Sequence, residues 1–124
     1  MKIQKFRDVS TLSYEKVLTI LSRIGLSTTD VNIYIFLTIR GQHNAKTIAN
    51  GLNLPKSTVY KSLKRLKDKR AVTSVHDNSL LFDACSIEII LQDQVKNSSS
   101  KRKYLSNNRE KILNLWKNII NDSQ

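Results

Sequence analysis

Lys56, Lys61, Lys64 and Lys67 fall in one short stretch, interleaved with Ser57, Thr58, Tyr60 and Arg65. These side chains grip anions and hydrogen-bond; they do not cleave bonds. Lysine and arginine pair with phosphate oxygens, and short hydroxyls donate to them, which gives affinity without sequence information. Lysine also reaches guanine acceptors, and a threonine methyl meets a thymine methyl. No acid interrupts the stretch before Asp68. A solvated helix face usually mixes Glu with Lys, because opposite charges one turn apart support the helix. This stretch forgoes that support, although a plain solvated basic face is the competing reading.

A helix must carry these groups. Val59, Leu63 and Leu66 recur at i, i+4 and i+7, one apolar stripe at helical period. Pro55 suits a first helical position, where its fixed φ is already right and its missing N–H is not needed. The spacing predicts a helix over about 55–69 that buries Val59, Leu63 and Leu66 and turns its cations outward. Ser57, Thr58, Tyr60 and Lys61 are the candidates for base edges, and Lys56, Lys61, Lys64, Arg65 and Lys67 for phosphates. Tyr60 has a second reading, packed under a neighbouring hairpin, and Arg65 a second reading, laid along the domain surface.

Asn44 is placed to cap a shorter helix from Ala45 to Asn50, with Gly51 expected to end it in the left-handed conformation. Lys46 and Thr47 at its start, with Asn44, are further candidates for backbone contacts. Two helices joined by a short turn with glycine near it form the helix-turn-helix pattern. After Arg70 the period changes to alternation: Ala71–Val75 and Leu80–Asp83 read as strands around the polar cluster His76-Asp77-Asn78-Ser79. That hairpin is the wing of a winged helix-turn-helix. Its tip holds His76 and Asn78 but also Asp77, with no Lys or Arg, so a few polar contacts are the most it is expected to make.

Upstream, Ser10 or Thr11 opens a helix to about Arg23, with Tyr14, Val17, Leu18, Leu21 and Ile24 as its stripe and Gly25 as its stop. Ser27 and Asp30 form a capping-box pattern for the next helix. Its run Val31–Ile39 is apolar nearly all round, as a central buried helix requires. A strand competes on β-branched content, but the cap, the length and the stop at Arg40-Gly41 favour a helix. Residues 1–9, with Lys2, Lys5 and Arg7, read as a basic arm or a frayed end.

Downstream, Ser86 begins a helix that can run to about Asn121. Leu91, Ser98, Leu105, Ile112 and Ile119 lie a heptad apart, and Ile87, Gln94, Lys101, Asn108 and Leu115 form the matching set. One long helix is the favoured reading. A helical hairpin turning in the polar middle, Asn97–Lys103, is the other. Leu91, Leu105, Ile112, Leu115, Trp116 and Ile119 read as a homodimer seam, because they exceed what one small core needs and would otherwise form an exposed apolar patch. The expected organisation is a basic arm (1–9), a winged helix-turn-helix domain (10–85) and a coiled-coil-like dimerisation helix (86–121), a mainly α fold with a small β-hairpin.

The 124 residues suit one domain. Twenty-one Lys and Arg against ten Asp and Glu give a formal charge of +11, which favours a polyanionic partner. An anionic membrane surface would want Trp near the densest charge; Trp116 lies far from it. No apolar run approaches the ~18 residues of a membrane span, and the N-terminus lacks the apolar segment of a signal peptide. Cys85 is the only cysteine, so no internal disulfide is expected, and its apolar neighbours suggest a small core residue. His43 and His76 have no Cys or carboxylate at ligand spacing, and no phosphate loop or nucleophile elbow appears. No enzyme, cofactor or metal site is expected. An aromatic platform for stacking RNA bases is also lacking.

One stretch resembles a known family. Gly25-Leu26-Ser27 with Asp30, Val31 and Tyr34, then Ala45, Ile48 and Ala49, then Leu54-Pro55-Lys56-Ser57 with Val59-Tyr60 and Leu63, then Leu66, Lys69 and Val72, is similar to the DNA-binding domain of TrmB-type transcriptional regulators. These are winged-helix proteins found mainly in archaea, and the resemblance covers roughly residues 12–85. It implies a regulator bound to promoter DNA in a cytoplasmic, nucleoid-associated setting. Where the family often has Lys-Gly-Leu-Val after the recognition helix, this chain has Lys69-Arg70-Ala71-Val72. Many members carry a sugar-binding domain after the final helix; this sequence ends at Gln124, so sugar sensing is not carried over and any effector is unknown. The expectation is a sequence-specific regulator of double-stranded DNA. The alternatives are a winged-helix protein-interaction module in a larger assembly and a non-specific chromatin-type DNA-binding protein.

Overall fold

A computed structural model describes residues 11–23, 25–77, 79–95 and 99–122. Among these residues, six helices and one hairpin follow in the order α1 (Thr11–Ser22), α2 (Thr28–Arg40), α3 (Ala45–Leu52), α4 (Lys56–Asp68), β1 (Val72–Asp77), β2 (Ser79–Ala84), α5 (Ile87–Val95) and α6 (Ser99–Asp122). The expected arm over residues 1–9, Ile24 and Asn78 lie outside the described residues.

The second helix is the centre. Every residue from Asp30 to Leu37 is buried, because α1, α3, α4 and β2 pack against the helix and Trp116 of α6 covers Tyr34. The Ser27–Asp30 capping box is present in both directions, each bond 3.1 Å. At the end of α1, the amides of Gly25 and Leu26 bond the carbonyls of Ser22 and Leu21, and Gly25 takes a φ of +100°. This Schellman-type stop brings Leu26 back onto Leu21, both buried.

The short third helix starts as expected, with Asn44 Oδ1 accepting from the Thr47 amide at 2.8 Å. Its end differs. Asn53, at φ 57°, is the left-handed stop, while Gly51 is helical. The glycine serves packing instead: a Cβ there would lie 2.5 Å from Cε2 of Phe36. Pro55 also sits one place earlier than expected, as the N-cap of α4.

The strands pair antiparallel with Val72 opposite Ala84 and Asp77 opposite Ser79, so they reach into residues expected to form the turn. Val72 and Phe82 anchor the hairpin in the core. His43 joins its edge, exchanging both backbone bonds with Phe82 at 2.9 and 3.1 Å. Cys85 is half-buried, not a core residue; its amide donates to Ala71 and its carbonyl accepts from the Tyr34 hydroxyl.

The C-terminal region departs most from the expectation. The favoured single helix over 86–121 is divided into α5 and the 24-residue α6. The latter packs along both α5 and α1. Ile112 and Ile119 are fully buried, Leu91 nearly so, and Trp116 stacks on Tyr34 with ring centroids 5.2 Å apart. Four of the six side chains assigned to a dimer seam therefore fill this chain's own core. Leu115 is half-buried at its margin, and the side chain of Leu105 lies outside the described residues. Folding back is favourable because α2 and α1 present apolar surface that α6 covers. Among the described residues, no helix is long and apolar enough to cross a membrane.

Candidate nucleic-acid interface

The fourth helix buries Val59, Ser62, Leu63 and Leu66 and exposes the rest except the half-buried Thr58. At 3.6 residues per turn, Ser57, Lys61 and Lys64 lie opposite that buried stripe, with Asp68 closing the line. Lys56, Tyr60 and Lys67 flank it on one side; Thr58 and Arg65 flank it on the other. Lys56, Ser57, Lys61, Lys64 and Lys67 are exposed and Thr58 is half-buried. Tyr60 is 49% exposed, so the reading that packs it under the hairpin is set aside. Lys46 and Thr47 are exposed at the start of α3, and Asn44 is half-buried with its Oδ1 occupied by the cap. His76 is exposed on β1. The structure thus gathers the α4 cations and hydroxyls on one outward surface, with α3 packed beside it and the hairpin following it.

Arg65 has a different task. Its Nη2 lies 3.0 Å from Oδ1 of Asp30 and its Nε 3.3 Å from Oδ2, a two-point pairing with a wholly buried carboxylate. The second reading, along the domain surface, is the observed one. Ser62, one turn earlier on α4, donates its hydroxyl to the same Oδ1. Burial pushes the Asp30 carboxyl upward, but the hydrogen bonds from Arg65, Ser62 and the Ser27 amide, with the Arg65 charge, outweigh it and hold the group below the usual carboxylate range. Asp30 thereby joins the first turn of α2 to the middle of α4. Sequence reading found the cap but not this link. The available signal was Ser62 itself, a polar residue at a core position of the Val59–Leu63–Leu66 stripe, which needs a buried partner.

The exposed lysine ammonium groups of α4 make this surface cationic. The hairpin carries no Lys or Arg, and among its described residues Val75 and Leu80 are the exposed large apolar side chains, at 38% and 36%. Among the described residues, no three His, Cys, Asp or Glu side chains are grouped to hold a metal ion.

A three-helix core, a helix-turn-helix pair and a hairpin following the second helix of that pair define a winged helix-turn-helix domain. Residues 21–88 match the family described as sugar-specific transcriptional regulator TrmB, and the chain belongs to that family. The fold is shared with the YusO protein of Bacillus subtilis, at 16% identity and a TM-score of 0.53 over 77% of this chain and 72% of that one. BpsR of Bordetella bronchiseptica, whose DNA binding is regulated by 6-hydroxynicotinic acid, matches at 14% identity and a TM-score of 0.48, covering 83% and 89%. No curated protein matches the sequence. By family, the protein is a DNA-binding transcription regulator.

Proposed function

We propose that this chain reads specific double-stranded DNA by laying α4 in the major groove. The observation that carries the reading is the outward line of Ser57, Lys61 and Lys64, flanked by Lys56, Tyr60 and Lys67, on a helix anchored along its opposite side. Lys56, Lys64 and Lys67 hold phosphates, joined by Lys46, Thr47 and Asn44 from the preceding helix. Ser57, Tyr60 and Lys61, with Thr58 at the margin, face base edges. From the wing, the exposed His76 imidazole joins them. Arg65, committed to Asp30, is left out.

The expected homodimer stays part of the proposal on a changed basis. It rests on what the C-terminal helices leave outside the core: Ile89, 43% exposed on α5, and the half-buried Leu113 and Leu115 of α6. Two recognition helices would then meet half-sites about one turn (~10 bp) or a multiple apart. Sedimentation velocity at micromolar concentration decides that point.

Fluorescence anisotropy with random duplex DNA tests the binding itself. Log K should fall linearly with log salt, at about −0.9 per phosphate neutralised. Lys61→Ala with Lys64→Ala should weaken binding by at least several-fold with unchanged folding. An unaffected affinity would remove α4 from the interface.

A further inference from the structure

Burial of Val59, Leu63 and Leu66 fixes which side of α4 faces the domain. Being non-directional, that attraction resists small shifts about and along the helix axis less sharply than hydrogen bonds do. Directional contacts set the angle and register, and among the described residues the side-chain hydrogen bonds that α4 makes outside its own helix all converge on Asp30. Ser62 and Arg65 stand one turn apart and both reach this carboxylate. It is in turn fixed by the Ser27 amide and its own place in the first turn of α2. One rigid group thus ties α4 at two points along its axis.

Resting on the reading that α4 enters the major groove, we propose that Asp30 is a positioning residue for base recognition, setting α4 through Ser62 and Arg65 while contacting no DNA itself. The two kinds of DNA contact differ in how much misplacement they tolerate. A hydrogen bond to a base edge weakens steeply beyond a few tenths of an ångström past its ~3 Å optimum. The attraction of lysines to phosphates persists over a screening length of about 8–10 Å at physiological salt. Loosening α4 by a fraction of a turn therefore removes discrimination between sequences and spares affinity for DNA in general. Asp30 also neutralises Arg65 on the flank of the recognition helix, which keeps one cation from contributing sequence-independent affinity.

The test is a ratio. A preferred duplex is selected from a random library with the wild-type chain, and affinities for it and for random duplex are measured for wild type, Asp30→Asn and Ser62→Ala. Folding is checked by circular dichroism. Asp30→Asn keeps the shape of the side chain but loses the charge that holds Arg65; Ser62→Ala removes one tie, leaves the ion pair and serves where Asp30→Asn does not fold. The expected result is at least a fivefold fall in the preferred-to-random ratio for each folded variant, with random-duplex affinity within twofold of wild type or above it. A purely structural role lowers the active fraction and scales both affinities together; that outcome, or an unchanged ratio, overturns the inference. If the wild-type chain selects no preferred sequence, it is the sequence-specific reading that has failed, and the positioning role falls with it.

Discussion

Replacing Gly51 with alanine sets two opposed effects against each other. Glycine inside a helix costs up to ~1 kcal/mol relative to alanine, so propensity alone predicts a more stable protein. Gly51 lies next to the last residue of α3, where fraying reduces that gain. Against it stands a clash. The added Cβ would lie 2.5 Å from Cε2 and 2.9 Å from Cζ of Phe36, where carbon atoms ordinarily meet at about 3.5–4.0 Å. The Phe36 ring has little room to yield, being 3% exposed, met edge-on by His43 at 5.6 Å and covered by the Arg40 guanidinium at 5.3 Å. Relief requires either an off-rotamer ring or an outward shift of α3, which would loosen Ile48, Ala49 and Leu52. Overpacking of this kind costs about 1–3 kcal/mol. An overlap near 1 Å on a confined ring belongs in the upper part of that range. The expected net effect is a loss of about 1–2 kcal/mol, seen in urea unfolding followed by far-ultraviolet circular dichroism as a lower midpoint at unchanged slope. Phe36→Leu made in the Gly51→Ala background should cost less than Phe36→Leu alone, because the clash partner is already gone. A Gly51→Ala protein more stable than wild type would refute the packing account and return this glycine to an ordinary helix-end role.

Three further outcomes follow from the structure. Arg70 closes α4 at φ 61°, with the Arg70 and Ala71 amides bonded to Lys67 and Leu66; a non-glycine residue pays about 1–2 kcal/mol there, so Arg70→Gly should raise stability by about 0.5–1 kcal/mol in thermal melts, and a lower melting temperature would count against it. Because the folded Asp30 carboxyl is held below its ordinary value, its contribution is present above the unfolded value of about 3.9 and is lost as pH falls through the folded one. Asp30→Asn should accordingly cost about 2 kcal/mol at pH 7, discounted from the ~3–5 of a fully buried pair because the Arg65 side chain is 48% exposed. The gap to wild type should narrow below about pH 4, and a pH-independent gap would contradict the assignment. Truncation after Val95 should unfold the domain or lower its melting point sharply, since it strips Ile112, Trp116 and Ile119 from the core; a truncated chain that melts like the full one would show α6 to be dispensable.

The winged helix and the outward basic side of α4 were legible in the sequence wherever one local signal had one structural meaning. Ser27 with Asp30, Asn44 before Thr47, and Gly25 after an apolar stripe each specify a helix end by satisfying particular amides and carbonyls, and each is observed in that role. The outward cations of α4 follow from the period of Val59, Leu63 and Leu66. Gly51 misled because glycine has two uses. It relieves backbone strain at a helix end, and it makes room for a neighbouring ring, and only the position of Phe36 shows which applies. Arg65 was ambiguous for a related reason: its charge suits phosphate and carboxylate equally, and Asp30, distant in sequence, decides between them.

The C-terminal region carries the same lesson into energetics. Leu91, Ile112 and Ile119 recur at heptad spacing, and that spacing states that one side of a helix leaves water. It does not state whether the covering surface belongs to the same chain or to another. The free energy of burial is alike in both cases, so the outcome turns on the cost of bringing the surfaces together. Within one chain, folding α6 back beside α5 and α1 costs only chain-closure entropy, which grows slowly with length. Between chains, association costs about 4–15 kcal/mol of translational and rotational freedom at the standard state. A chain with an unfilled groove of its own, here the one walled by α1, α2 and α5, will close it with its own helix first. Trp116 seated on Tyr34 marks that choice. Dimerisation, on this account, has to use surface that remains after α6 has docked, which is why the proposed interface moves from Ile112, Trp116 and Ile119 to Ile89, Leu113 and Leu115. Leu113→Asp or Ile89→Asp should then shift any dimer toward monomer while leaving the far-ultraviolet spectrum intact, and a substitution that unfolds the chain instead would place that side chain in the core.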